Sequence, residues 1–106
     1  MIVYNTTFHI DKEVAEDVII YLKHQFIPDS LADGLLQQPR LLKLNQVNAD
    51  DGLNIALQFD VKDMMTLNRW LSGQGATVRK SFVNSFGHKV VGFSTVMEEM
   101  TLEEES

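Results

Sequence analysis

Cysteine is absent from the 106-residue chain, and its absence closes several chemistries at once. Disulfide frameworks, thiolate zinc sites, iron–sulfur ligation and a cysteine nucleophile are all excluded. Metal binding by histidine is no better supported. His9, His24 and His88 are the only imidazoles, and no two of them share the i, i+4 spacing that presents paired ligands on a helix. No apolar run approaches the roughly 20 residues that span a bilayer. The opening residues, MIVYNTTFHI, lack both a basic n-region and a small-residue cleavage site. A cytoplasmic protein with no membrane partner, no metal and no bound cofactor is therefore expected. Basic residues are few as well, nine Lys and Arg against fifteen Asp and Glu, so no face is left to displace counterions from nucleic acid.

The formal charge of −6 is not spread over the chain. Glu98, Glu99, Glu103, Glu104 and Glu105 crowd the last nine positions, and without them the chain is close to neutral. Residues 1–97 are thus expected to form a single domain, with 98–106 an acidic, solvated tail. An apolar content of 44% is enough to build one core in a chain of this length.

Hydrophobic periodicity orders the domain. Ile2, Tyr4, Thr6, Phe8 and Ile10 alternate with Val3, Asn5, Thr7 and His9, which predicts a strand with one oily and one mixed face. Asp11 stands where a helix cap belongs, and Val14, Val18 and Leu22 form a helical stripe. That helix is expected to stop before Pro28, with a short further turn ended by Gly34. Leu36 to Val47 reads as a second strand, placed at a sheet edge by Pro39, which has no N–H to give a ladder. The cluster Asn48 to Gly52 predicts a hairpin turn into a third strand, Leu53 to Phe59. Asp60 is the expected cap of a second helix carrying Met64, Leu67, Leu71, Val78 and Phe82, kinked or broken near 72–76 by Gly73 and Gly75. Gly87 closes it, and Val90 to Met97 forms the last strand.

The order β-α-β-β-α-β specifies a ferredoxin-like α+β sandwich, a four-stranded antiparallel sheet with helices on one face. The other face would be bare, carrying Val3, Asn5, Thr7, His9, Ala56 and Gln58. The last strand is apolar on both sides, with Val91, Phe93 and Met97 opposite Val90 and Val96. Strands of that kind are normally covered on both faces, and a second copy of the chain is the economical cover.

Four segments carry a resemblance: MIVYN, FIPDSLADGLL, RLLKL and FGHKVVGFSTVMEE. Together they resemble a bacterial family of unknown function, made of short single-domain proteins with an Ile-Pro-x-x-Leu-x-x-Gly turn. The turn matches at Ile27, Pro28, Leu31 and Gly34, and the approach to the last strand at Phe86 and Gly87. By similarity the family belongs with the dimeric α/β barrels, alongside antibiotic-biosynthesis monooxygenase-like proteins. The resemblance implies a homodimer but brings no reaction with it. Haem-degrading barrels are similar in placing an Asn on the first strand and a Trp in the second helix, as Asn5 and Trp70 stand here. The proximal His of those proteins is missing, since the corresponding stretch reads Thr77, Val78, Arg79, Lys80, Ser81.

The residues singled out are thus Asn5, Thr7, His9, Gln58 and Trp70, lining either a pocket or a dimer seam. Two functions stay open: a homodimeric binding or interaction protein, with or without a small-molecule ligand, and a cofactor-free oxygenase or isomerase. A polar pocket between sheet and helices would separate them.

Overall fold

The computed structural model describes residues 1–45 and 52–103. The chain runs through β1 (Ile2–Asp11), α1 (Ala15–Tyr21), a wide π-type turn (Leu22–Phe26), α2 (Ile27–Leu31), β2 (Leu36–Lys43) and β3 (Gly52–Val61). It continues through α3 (Met64–Ser72), α4 (Gln74–Phe86), a 3₁₀ turn (Gly87–Lys89) and β4 (Val90–Glu98). The strands form one sheet in the order β2-β3-β1-β4, and every neighbouring pair is antiparallel. This is the expected ferredoxin-like arrangement, with each of its two helices divided.

The alternation of β1 sets the layers. Ile2, Tyr4, Phe8 and Ile10 are buried beneath the helices, joined from β3 by Ile55, Leu57, Phe59 and Val61. Val18, Leu22, Phe26, Leu67, Trp70, Val78 and Phe82 close the core from the helical side. Phe82 sits among four other rings, with centroids 5.2 Å from Phe8 and 5.4 Å from both Phe26 and Phe86. Such offset aromatic packing adds to what the buried area alone contributes.

Three expectations are corrected. Asp11 does not cap the first helix. It ends β1, its carboxylate accepts the Glu13 N–H at 2.9 Å, and α1 begins only at Ala15. Nor does the helix stop at Pro28, for the π-type turn carries it on with Ile27 still right-handed helical at φ −66°, ψ −50°. Pro28 then lies in the first turn of α2, where its missing N–H costs nothing, and the wider turn leaves room for its ring. Burial of Leu22 and Phe26 within that turn outweighs the bias against helical geometry before proline. The third correction concerns Asp60, which stays in β3 because Val61 beyond it is fully buried and paired with both Ile2 and Leu36.

Asp63 caps α3 instead, its carboxylate accepting the Thr66 N–H at 2.8 Å and the Thr66 hydroxyl at 2.7 Å. Those two bonds, side chain first, hold the Asp63 pKa below its ordinary 3.8. A depressed carboxylate pKa stabilises the fold above the unfolded value, and the contribution is lost as pH falls through the folded one. Asp63→Ala should therefore melt earlier than the parent at pH 7. The two melting curves should draw together as pH falls through the lowered Asp63 value, and Asp63→Asn, which keeps a capping oxygen, should lie between them at pH 7.

The remaining elements follow the sequence reading, except that β2 ends at Lys43, before Leu44 and Asn45, and β4 takes in Glu98, which the sequence reading assigns to the tail. Gly34 (φ +78°) follows α2 and donates its N–H to Leu31 O at 3.0 Å. β2 is an edge strand, with its register broken between Gln37 and Arg40 around Pro39. The long helix is interrupted at Gly73, which divides α3 from α4. The predicted hairpin turn falls on positions 46–51, outside the described residues.

Candidate functional site

Two surfaces lie on opposite sides of the sheet. The first is the face turned away from the helices. Strand pairing sets its side chains in rows: Leu42, Ala56, Thr7 and Phe93 across the middle, then Gln58, Asn5 and Thr95 joined by Arg40, with His9 and Val91 beside Asn54. The polar members bind one another. Arg40 Nη2 donates to Asp60 Oδ1 at 2.9 Å, Gln58 Nε2 to Asn5 Oδ1 at 3.2 Å, and Asn5 Nδ2 to Thr7 Oγ1 at 3.1 Å. His9 Nδ1 lies 2.8 Å from Asn54 Oδ1. Around this network stand exposed apolar side chains: Leu42 (45%), Val91 (59%), Phe93 (63%) and Met97 (40%).

Asn5, Thr7, His9 and Gln58, proposed from sequence as a group, do share this face. Trp70 does not. It is fully buried on the helical side, packed edge-on against Tyr4 at 5.8 Å, with its indole N–H donated to Ser30 O at 3.0 Å. His24 and His88 are exposed and remote from the network, and no three potential metal ligands cluster among the described residues.

The second surface is a pocket of about 220 Å³ between the sheet and the helices. Tyr4, Thr6 and Phe8 of β1, with Gly92 and Ser94 of β4, line the sheet side. Phe26 of the π-type turn, with Arg79, Phe82 and Val83 of α4, lines the helical side. The space exists because β4 turns small residues inward. A Cβ built on Gly92 would come within 3.0 Å of the Phe8 ring, and Ser94 fills little of the volume a leucine would take. The floor holds three hydroxyls, Tyr4 Oη and Thr6 Oγ1 lying 3.3 and 3.1 Å from Ser94 Oγ. Arg79 spends Nε on Gly75 O and Nη2 on Leu71 O, both at 3.1 Å, tying α4 across the break at Gly73.

Sequence reasoning missed this hydroxyl trio and Arg79. One signal was available: Thr6 is the only aliphatic hydroxyl on the oily side of β1, and Gly92 and Ser94 share the inward parity of β4. Position 79 was weighed only for the histidine it lacks.

A four-stranded antiparallel sheet, helices on one side and a bare face on the other, defines the chain as one ferredoxin-like unit. The chain belongs to the family described as "Domain of unknown function (DUF4286)", whose model matches residues 1–100. No curated protein matches the sequence. Among solved structures it is similar to an EthD family protein of Bacillus halodurans, at 13% identity over 94% of this chain and 100% of that one, TM-score 0.73. A dimeric ferredoxin-like protein from an uncultured marine organism matches at 12% identity over 95% and 97%, TM-score 0.66. A variant of SnoaB, a cofactor-independent oxygenase from Streptomyces nogalater, matches at 13% identity over 97% of each chain, TM-score 0.64. These likenesses bear out the expected fold.

Proposed function

We propose that the protein is a homodimeric binding protein, two copies packing their bare sheet faces together while each keeps a pocket for a small, largely apolar molecule. The open face carries this reading. Asn5, Thr7, Gln58 and the Arg40–Asp60 pair are already hydrogen-bonded, which lowers the cost of covering them, while Leu42, Val91, Phe93 and Met97 gain by leaving water. The relative described as a dimeric ferredoxin-like protein supports the same assembly. In it, Asn5, Thr7, His9 and Gln58 form a seam, and the pocket behind them is the ligand site.

A second reading, a cofactor-free oxygenase or isomerase, is favoured by one observation: a pocket with polar groups does survive between sheet and helices. The oxygenase among the structural matches supports it at the level of fold. Proton abstraction needs a base within reach of the substrate, and among the described residues that line the pocket none is Asp, Glu or His. Binding is therefore the reading we adopt.

Light scattering coupled to gel filtration tests the dimer, with an expected mass twice that of the chain at micromolar concentration. A thermal-shift screen of small aromatic and aliphatic compounds tests the pocket. A ligand at a hundredfold excess over its Kd stabilises by about 2.7 kcal/mol. The shift should disappear in Ser94→Leu, which fills the cavity, and persist in His9→Ala. A hit lost in His9→Ala with the dimer intact would move the ligand to the seam and reject the assignment.

A further inference from the structure

Resting on that reading of the pocket, we infer that its ligand is a small aromatic carboxylate of about two fused rings, its anion held by Arg79 and its rings by the phenyl groups of Phe8, Phe26 and Phe82. Size comes first. An engineered cavity of about 150 Å³ accepts benzene, so 220 Å³ admits a bicyclic ring system. The walls come second. Phe8, Phe26 and Phe82 pack edge to face or tilted on one another with centroids 5.2 to 6.0 Å apart and give the pocket an aromatic wall that suits an apolar ring system.

The polar inventory sets the charge. Tyr4, Thr6 and Ser94 bring three O–H donors, and the two bonds among them consume two, leaving one to give. Arg79 has five N–H donors and spends two on carbonyls of its own helix pair, leaving three. Among the described residues Arg79 makes no ion pair, and it is the one cation among those lining the pocket. No carboxylate among the described residues lines the pocket. Surplus donors, one permanent positive charge and no acidic competitor select an anionic acceptor, and the planar guanidinium fork suits a carboxylate.

Calorimetric titration of the full chain with 2-naphthoate, and with its neutral isostere 2-naphthamide, tests the inference. The carboxylate should bind at least about tenfold more tightly, by the difference between charged and neutral hydrogen bonds. That preference should weaken as salt is raised. Arg79→Gln should bind the two compounds alike, and Arg79→Lys should keep part of the preference. Because Arg79 also ties the helix break, the comparison on the parent protein stands without either variant. Equal affinity for acid and amide would overturn the charge assignment while leaving an apolar pocket in place. Binding of neither compound would overturn the pocket reading itself.

Discussion

Trp70→Ala is expected to lower the stability of the fold by about 3–5 kcal/mol, a large share of the total for a domain of this size. Trp70 is fully buried, packs on Tyr4 and satisfies Ser30 O through its indole N–H. Alanine removes the ring, the bond and the filling of the space between α3 and β1. Trp70→Phe should fall between, losing the hydrogen bond at about 1 kcal/mol together with part of the volume. The same ring gives Gly75→Ala an inverted sign. In an ordinary helix interior that change gains about 1 kcal/mol. Here a Cβ would run into the Trp70 ring, with Cζ3 at 2.6 Å and the Trp70 carbonyl oxygen at 2.7 Å, so a loss of about 1–3 kcal/mol is expected. In a Trp70→Ala background the loss from Gly75→Ala should shrink without vanishing, because the contact with the carbonyl oxygen of residue 70 remains. Urea titration of the four proteins gives the coupling directly, and additive effects would show that ring and glycine do not meet.

Ala56→Arg should convert the proposed dimer into a folded monomer. Ala56 lies in the central row of the bare face, between Leu42 and Thr7, with Phe93 beyond. In a lone protomer Ala56 is only 8% exposed, and the longer side chain lays its stem across Leu42 and Thr7 and carries its charged end into water. Between two packed sheets it would bury an unpaired charge, at about 3–5 kcal/mol, which raises the dimer Kd by a hundredfold or more. Ala56→Ser should remain dimeric. Light scattering and circular dichroism on the three proteins distinguish dissociation from unfolding. A dimeric Ala56→Arg would show that the faces do not meet.

Much of the architecture was legible because it rests on local pattern. Period-two alternation in Ile2 to Ile10 and Leu53 to Phe59 placed two central strands and told their faces apart. Pro39 marked an edge because a missing N–H is tolerated only there. Gly73 and Gly75 marked the helix break by their conformational cost. The errors fell where a distant partner decided the outcome. Asp60 and Asp63 are equally good caps as local sequence, and burial of Val61 between Ile2 and Leu36 settled between them. Pro28 breaks a helix in isolation, yet the buried pair Leu22 and Phe26 holds the chain helical up to it.

The candidate site divides in the same way. Asn5, Thr7, His9 and Gln58 could be grouped from sequence because side-chain parity within a strand is a covalent property, indifferent to the rest of the fold. Trp70 could not be assigned to the opposite layer, since helical periodicity says which residues share a stripe and not what the stripe covers. The hydroxyls of Tyr4, Thr6 and Ser94 meet through a pairing of strands about ninety residues apart in sequence. Arg79 reaches the same pocket only because the break at Gly73 sets the direction of α4. Local periodicity alone determined the elements, their order and the bare face. The cavity, being a space that several elements leave unfilled, was decided by tertiary packing, because a void depends on distances that no local pattern contains.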